Sequence, residues 1–187
     1  SIYNKSMIKI SGLMLVKGDS KRLKNKNTKE LNGEPMFTWN LLKALRIFDD
    51  VYVSSEDENI LHIARKIGAL TIERPKSLCG DTPNIPVYQH AEKFMDNPDV
   101  MIAIQANSPN LEETLIDDVR YLMEYGFKEV ITCHNDYSIY GSIWGIRVSR
   151  LKEYGDPYSP TPDVLLIDDS IDIHTEEDFK KALKVWH

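Results

Sequence analysis

Cysteine is scarce in this 187-residue chain: there are two, Cys79 and Cys133, far apart and in no Cys-x-x-Cys pair. That argues against a disulfide framework or a structural zinc site and fits a reducing cytoplasm. Long hydrophobic runs are also missing. No stretch approaches the roughly 20 apolar residues that a membrane-spanning helix needs. Residues 1–6 are polar, lack the apolar core of a secretion signal, and read as a loose extension. Excess positive charge is absent as well, with 23 Lys and Arg against 29 Asp and Glu and a net charge of -6. Such a surface does not favour broad contact with nucleic acid or an anionic membrane. Any anion site must be a local basic patch. Neither an internal repeat nor a low-complexity segment is present.

What remains is a chain of 42% hydrophobic residues, enough for one domain around a single core. Short apolar runs alternate with amphipathic stretches. Strands are predicted at residues 8–16, 51–55, 69–72, 100–105, 129–133 and 142–148. Helices are predicted at 36–48 with Pro35 at the first helical position, at 60–67 stopped by Gly68, at 87–95, at 115–122 ended by Gly126, and at 175–185. Asn32-Gly33 marks a turn, and residues 156–162, with three prolines, read as a surface loop. The alternation predicts an α/β fold: a single-domain, doubly wound, mostly parallel sheet flanked by helices. Ligands of such sheets bind beyond the carboxyl ends of the strands. The loops after Val16, Ile72, Gln105 and Ile173 are therefore the ones to search.

The loop after the first strand concentrates positive charge. Lys17, Lys21, Arg22, Lys24, Lys26 and Lys29 lie there with Ser20, Asn25, Asn27 and Thr28, opposed only by Asp19. A triphosphate brings several negative charges, and its transfer needs cations that neutralise the charge in motion. Gly18 lets the backbone approach a ligand closely. The loop is not a P-loop, because no G-x-x-x-x-G-K-[ST] is present. On charge alone a solvated lysine-rich loop explains it equally well.

The spacing says more. Leu13 to Val16 followed by Lys17, Ser20-Lys21, Lys26-Asn27 and Leu31-Asn32-Gly33-Glu34-Pro35 resembles an apolar strand, then A-R-x-x-S-K-x-x-x-x-K-N, then L-x-G-x-P. This is the signature of the acylneuraminate cytidylyltransferase family, the CMP-sialic acid synthetases and their relatives. Ser54-Ser55-Glu56-Asp57, Arg74-Pro75 with Asp81-Thr82, Gln105-Ala106-Asn107-Ser108-Pro109 and Ile171-Asp172-Ile173-His174-Thr175 resemble further family motifs, in chain order. The chain looks like a shortened and divergent member. The resemblance implies a Rossmann-like nucleotidyltransferase that moves CMP from CTP to an acidic sugar or related acceptor and releases pyrophosphate. Lys17, Lys21 and Lys26 would serve catalysis. Leu15, Lys17, Gly18, Ser20, Lys21, Asn27 and Arg74 would bind the nucleotide, Asn27 by reading the cytosine edge. Gln105 and Asn107 would face the acceptor. Asp172 and His174 would hold Mg²⁺ or Mn²⁺.

Some departures bear on the acceptor. Lys17 stands where the family has Arg, and His174 replaces the second aspartate of its metal-holding D-x-D. Imidazole suits transition metals better than Mg²⁺. Glu112 stands where an Arg follows the Q-P-T-S-P motif. The stretch between Cys133 and Asp168, which carries the family's dimer arm, is short, so a homodimer stays open. An acceptor bearing phosphate or phosphonate, or a weakly catalytic nucleotide-binding module, are the alternatives. Thr175 with Asp178 reads as a capping box at the last helix, backed by Glu176 and Glu177. His134, with Asn135 and Asp136, lies near the acceptor side.

Overall fold

The computed structural model describes residues 8–80, 84–155 and 159–186. The extension read at residues 1–6 and the Asp81-Thr82 match lie outside them.

The first strand, β1 (Ile10–Leu15), occupies the middle of a seven-stranded sheet. It pairs in parallel with β4 (Val51–Ser55) on one side and β6 (Val100–Ile104) on the other. Beyond β4 lies β5 (Leu70–Glu73), also parallel. Beyond β6 come β8 (Ile139–Arg147), β7 (Glu129–Cys133) and β9 (Val164–Ile167), in that order. Only β8 runs antiparallel to its neighbours. The mostly parallel sheet expected from the alternation is what forms. Strands β4, β6 and β7 are buried at every position, as strands with both faces covered must be.

Helices cover both faces. On one side α1 (Thr38–Ile47), α2 (Glu58–Lys66) and α4 (Glu113–Tyr125) bury Leu41, Ile60, Ile116, Val119 and Met123 against Met14, Val53 and Ile102. The spacing of Ile116, Val119 and Met123 puts all three on one stripe of α4. On the other side α3 (Asn84–Glu92) and the short α5 (Val148–Leu151) pack over Leu13, Met101, Ala103 and Trp144. Tyr88 of α3 meets Trp144 of β8 edge to face, with ring centroids 5.2 Å apart, a favoured arrangement for aromatic pairs. The last helix, α6 (Glu176–Lys184), closes a third cluster with Leu23, Leu31 and Met36.

Some local details differ from what the sequence pattern predicts. Pro35 does not open a helix. It belongs to β3 (Glu34–Pro35), which pairs with β2 (Glu30–Leu31) across Asn32 and Gly33. Both turn residues have positive φ, 49° and 90°, as a two-residue hairpin turn of this hand requires. The α3 helix starts three residues earlier than its apolar spacing suggests, with Pro86 tolerated in the first turn. Strand β9 is an addition to the predicted set. It is only four residues long, and its Leu165 and Ile167 remain exposed at the sheet edge. Its strand character comes from pairing with β7. The capping box at α6 forms as expected: Thr175 accepts from the Asp178 amide, and Asp178 accepts from the Thr175 amide.

Candidate functional site

The carboxyl ends of β1, β4, β5 and β6 open into one cleft of about 560 Å³. A sheet whose strands diverge at a change of connection leaves such a crevice. The loop after β1 supplies one wall, with Lys17, Ser20, Lys21 and Lys26 facing inward. Leu15, Asn27, Arg74, Gln105, Asn107 and His174 also line it. Ten of the residues singled out in the sequence thus share one cavity although they span some 160 positions. Asp172 is not among the lining residues; it stands behind His174.

The basic loop is held open by short local bonds. Asn25 takes the left-handed conformation (φ 54°), and a single 3-10 turn follows over Lys26–Thr28. Asn27 is buried, and its Nδ2 donates to the Lys17 carbonyl at 2.8 Å. That bond ties the two ends of the cationic stretch together. Its Oδ1 has no partner and is closed to solvent. Lys17 Nζ donates across the cleft to the Gly80 carbonyl at 3.2 Å. Burial pushes the Lys26 ammonium below its ordinary value, and the charge of Asp172 opposes that shift.

Gly18 makes its close approach to another part of the protein. It is not among the residues that face the cleft. A Cβ there would sit 2.6 Å from Asp57 Cβ, a contact no side chain can keep. The close approach is to the start of α2, where Asp57 caps the Asn59 and Ile60 amides. Gly18→Ala is therefore expected to lower stability by about 1–3 kcal/mol. A thermal melt reads it directly, and an unchanged midpoint would contradict the packing argument.

Glu56 belongs to the Ser54-Ser55-Glu56-Asp57 motif, which by itself gives it no role. It follows β4, between the loops after β1 and β5, and lines the cleft. Its Oε1 accepts from the Gly18 amide at 2.6 Å. Its Oε2 stands 4.0 Å from Arg74 NH1. Arg74 is only 4% exposed, donates from NH2 to the Ser54 carbonyl at 3.2 Å, and has no partner for Nε among the described residues. Burial lowers its pKa and Glu56 counteracts this. The strand-end rule applied to β4 is the signal that points to Glu56. Tyr88 escapes sequence reasoning for another reason. It arrives from the middle of α3 and reads as core, yet it borders the cleft and accepts from Gln105 Nε2 at 3.3 Å. Its burial pushes the phenol up to about 12, so it stays protonated at neutral pH.

The acidic end separates into distinct parts. Asp168 is buried and accepts from Ser142 Oγ at 2.5 Å, Ser170 Oγ at 2.6 Å and the Ser170 amide at 2.8 Å. It braces the sheet end and does not face the cleft. Asp172 Oδ2 pairs with His174 Nε2 at 2.6 Å, while Asp172 Oδ1 is closed to solvent, with the Tyr140 phenol close to the carboxylate. Tyr140 lies beside both acids and shares a hydrogen bond with Ser108 Oγ. Burial, with Asp172 nearby, pushes the Tyr140 phenol well above its ordinary value. His134 stacks on Tyr140 and, with Asn135 and Asp136, lines a second, open recess with Asp168, Asp169 and Ser170, not the main cleft. Among the described residues no three His, Cys, Asp or Glu side chains form a metal cluster. A Mg²⁺ ion needs no such cage; it takes one or two carboxylates and completes its shell with water and substrate phosphates. Asp172 is a carboxylate of the kind that mode uses, although its Oδ1 is closed to solvent. The His174 ring, already held by Asp172 and soft for a hard cation, does not fit it.

The fold has counterparts among solved structures. The structure of CMP:2-keto-3-deoxy-manno-octonic acid synthetase complexed with CTP superposes over 95% of this chain and 98% of its own, with a TM-score of 0.77 and 13% identity. At that identity the likeness speaks for the fold. A cytidylyltransferase family model matches residues 12–142, which contain the basic loop, Glu56, Arg74 and Gln105. The chain belongs to the cytidylyltransferase family. It is 31% identical over 127 residues to the N-acylneuraminate cytidylyltransferase of Oncorhynchus mykiss, covering 66% of this chain and 29% of that protein. It is 32% identical over 108 residues to the pseudaminic acid cytidylyltransferase of Campylobacter jejuni, covering 54% of this chain and 47% of that protein. The matched stretch thus spans less than half of either relative. No described helix is long and apolar enough to cross a membrane.

Proposed function

We propose that the described chain works as one nucleotidyltransferase domain that moves CMP from CTP to a sugar-acid acceptor and releases pyrophosphate. The observation that carries this reading is the cleft itself: four inward-facing polar and cationic residues of one loop opposite a buried, incompletely paired arginine. Relatives named for N-acylneuraminate and pseudaminic acid support the acceptor class. Having only two cysteines, far apart along the chain, suits a cytoplasmic setting.

The acceptor oxygen attacks the α-phosphorus in line with the departing pyrophosphate oxygen. The P–O bond to the acceptor forms as the bond to the β-phosphate breaks, and the acceptor hydroxyl loses its proton to solvent. The protein's part is to position and to neutralise. Lys17, Lys21 and Lys26 hold the phosphates, with Ser20 donating a hydroxyl. Arg74, set by Glu56, holds the nucleoside end, and Asn27 shapes the loop around it. Gln105, oriented by Tyr88, and Asn107 meet the acceptor. Asp172 would hold a divalent cation, Mg²⁺ or Mn²⁺, which supplies charge neutralisation at the phosphates.

Nucleotide choice is the direct test. CTP at about 100 times its Kd is expected to stabilise the fold by roughly 2.7 kcal/mol, with UTP, ATP and GTP weaker. A thermal-shift panel measures this. Stronger stabilisation by a purine nucleotide would overturn the base assignment. Pyrophosphate release across sugar acids, phosphosugars and phosphonates then identifies the acceptor.

A further inference from the structure

Behind the cleft, α1 grips the loop that follows β6. Asn40 is fully buried and donates from Nδ2 to the carbonyls of Gln105 at 2.9 Å and Ser108 at 2.7 Å. One turn later, Lys43 Nζ donates to Asn40 Oδ1 at 3.0 Å, the Pro109 carbonyl at 2.8 Å and the Leu111 carbonyl at 2.7 Å. An ammonium has three N–H donors and no acceptor, and here each donor has a partner. Four backbone carbonyls of residues 105–111 are thus anchored by two side chains from one helix.

The anchored loop is a hub. Asn107 accepts from the Ile173 amide at 2.9 Å through its carbonyl, and Asn110 Oδ1 accepts from the Ile171 amide at 3.1 Å. Those two bonds flank Asp172. Ser108 bonds Tyr140. Among the described residues, no hydrogen bond joins Asn40 or Lys43 to the loops carrying Lys17, Lys21 or Arg74.

We propose that Lys43 and Asn40 are positioning residues for the acceptor half of the transfer. They fix the 105–111 loop that carries Gln105 and Asn107, and neither makes a described hydrogen bond to the loops that carry Lys17, Lys21 and Arg74. The inference rests on the CTP-transfer reading above.

Protonation gives the anchor a signature. Burial lowers the Lys43 pKa to about 8. Glu112 and Glu113, at the start of α4, pull it up, and Arg46 on α1 pushes it down. Above that pH the amine keeps two donors for three acceptors, so either a loop carbonyl or Asn40 Oδ1 loses its donor and the anchor loosens.

The test measures steady-state pyrophosphate release on the full chain with a sugar acid that the wild type accepts. It compares Lys43→Met, Lys43→Arg and Asn40→Asp, from about pH 6 to 10. Lys43→Met should lower kcat/KM for the acceptor about tenfold or more, with KM for CTP within about twofold. Wild-type acceptor kcat/KM should fall on an alkaline limb near pH 8 that Lys43→Met lacks and Lys43→Arg, always charged, shifts out of range. Equal losses on both substrates, or a wild-type limb that survives in Lys43→Met, would overturn the positioning role. If Lys43→Met does not fold, the limb in wild type against Lys43→Arg, and the split in Asn40→Asp, decide it in the same way. A wild-type protein that releases no pyrophosphate from CTP with any acceptor overturns the transfer reading, and this proposal with it. Normal wild-type turnover without the split overturns the proposal alone.

Discussion

Lys21→Ala should reduce CTP turnover by about 100-fold or more, the cost of removing one charged group that stabilises a transferring phosphoryl, with almost no loss of stability. Lys21 is exposed on the rim of the loop and faces the cleft. Exposed substitutions of this kind shift folding by about 0.5 kcal/mol or less. The contrast is the point of the experiment. A solvated surface lysine would change neither quantity, and a folding residue would change both. Pyrophosphate release and a thermal melt on the same preparation separate these outcomes. Wild-type turnover in the variant would remove Lys21 from the phosphate site and turn the basic loop back into plain surface.

Asp172→Asn is expected to be nearly as damaging, for a different reason. The replacement keeps the shape and a hydrogen bond toward His174 but removes the charge. If the Asp172 carboxylate holds the divalent ion, turnover falls about 100-fold or more, and the metal concentration for half-maximal rate rises. CTP stabilisation measured without metal should stay as in the wild type. Titrating Mg²⁺ and Mn²⁺ against rate reads the effect. If the variant keeps both its rate and its metal response, Asp172 serves only to orient His174 and the strand end. The Lys26 shift adds a check: Asp172 holds the Lys26 pKa up against burial, so the amide should let it fall further and move any alkaline limb that Lys26 causes to lower pH.

Much of the architecture is legible along the chain. Strands β4 and β7 begin and end where the sequence pattern places them, and β6 differs by one residue, because strands covered on both faces are mostly apolar and stand out along the chain. The stripe on α4 and the capping box on α6 announce themselves by spacing alone. The departures share one cause. The period-two pattern of β9 is too short to stand out, and it is a strand because β7 lies beside it. Pro35 suits a helix start by its local preferences, and the hairpin with Glu30 decides otherwise.

The site divides along the same line. Lys17, Ser20, Lys21, Lys26 and Asn27 are close together along the chain, so one basic loop with family spacing is recognisable from the order of residues alone. So is the nucleotide chemistry it implies, since phosphate charge calls for local cations whatever encloses them. Only the tertiary structure brings in Glu56 and Tyr88. It also turns Gly18 toward Asp57, sorts Asp168 from Asp172, and sets Asn40 and Lys43 behind the loop after β6. Those roles depend on which carbonyl, amide or Cβ lies within about 3 to 4 Å, and that distance is set by sheet order and helix packing, not by neighbours along the chain.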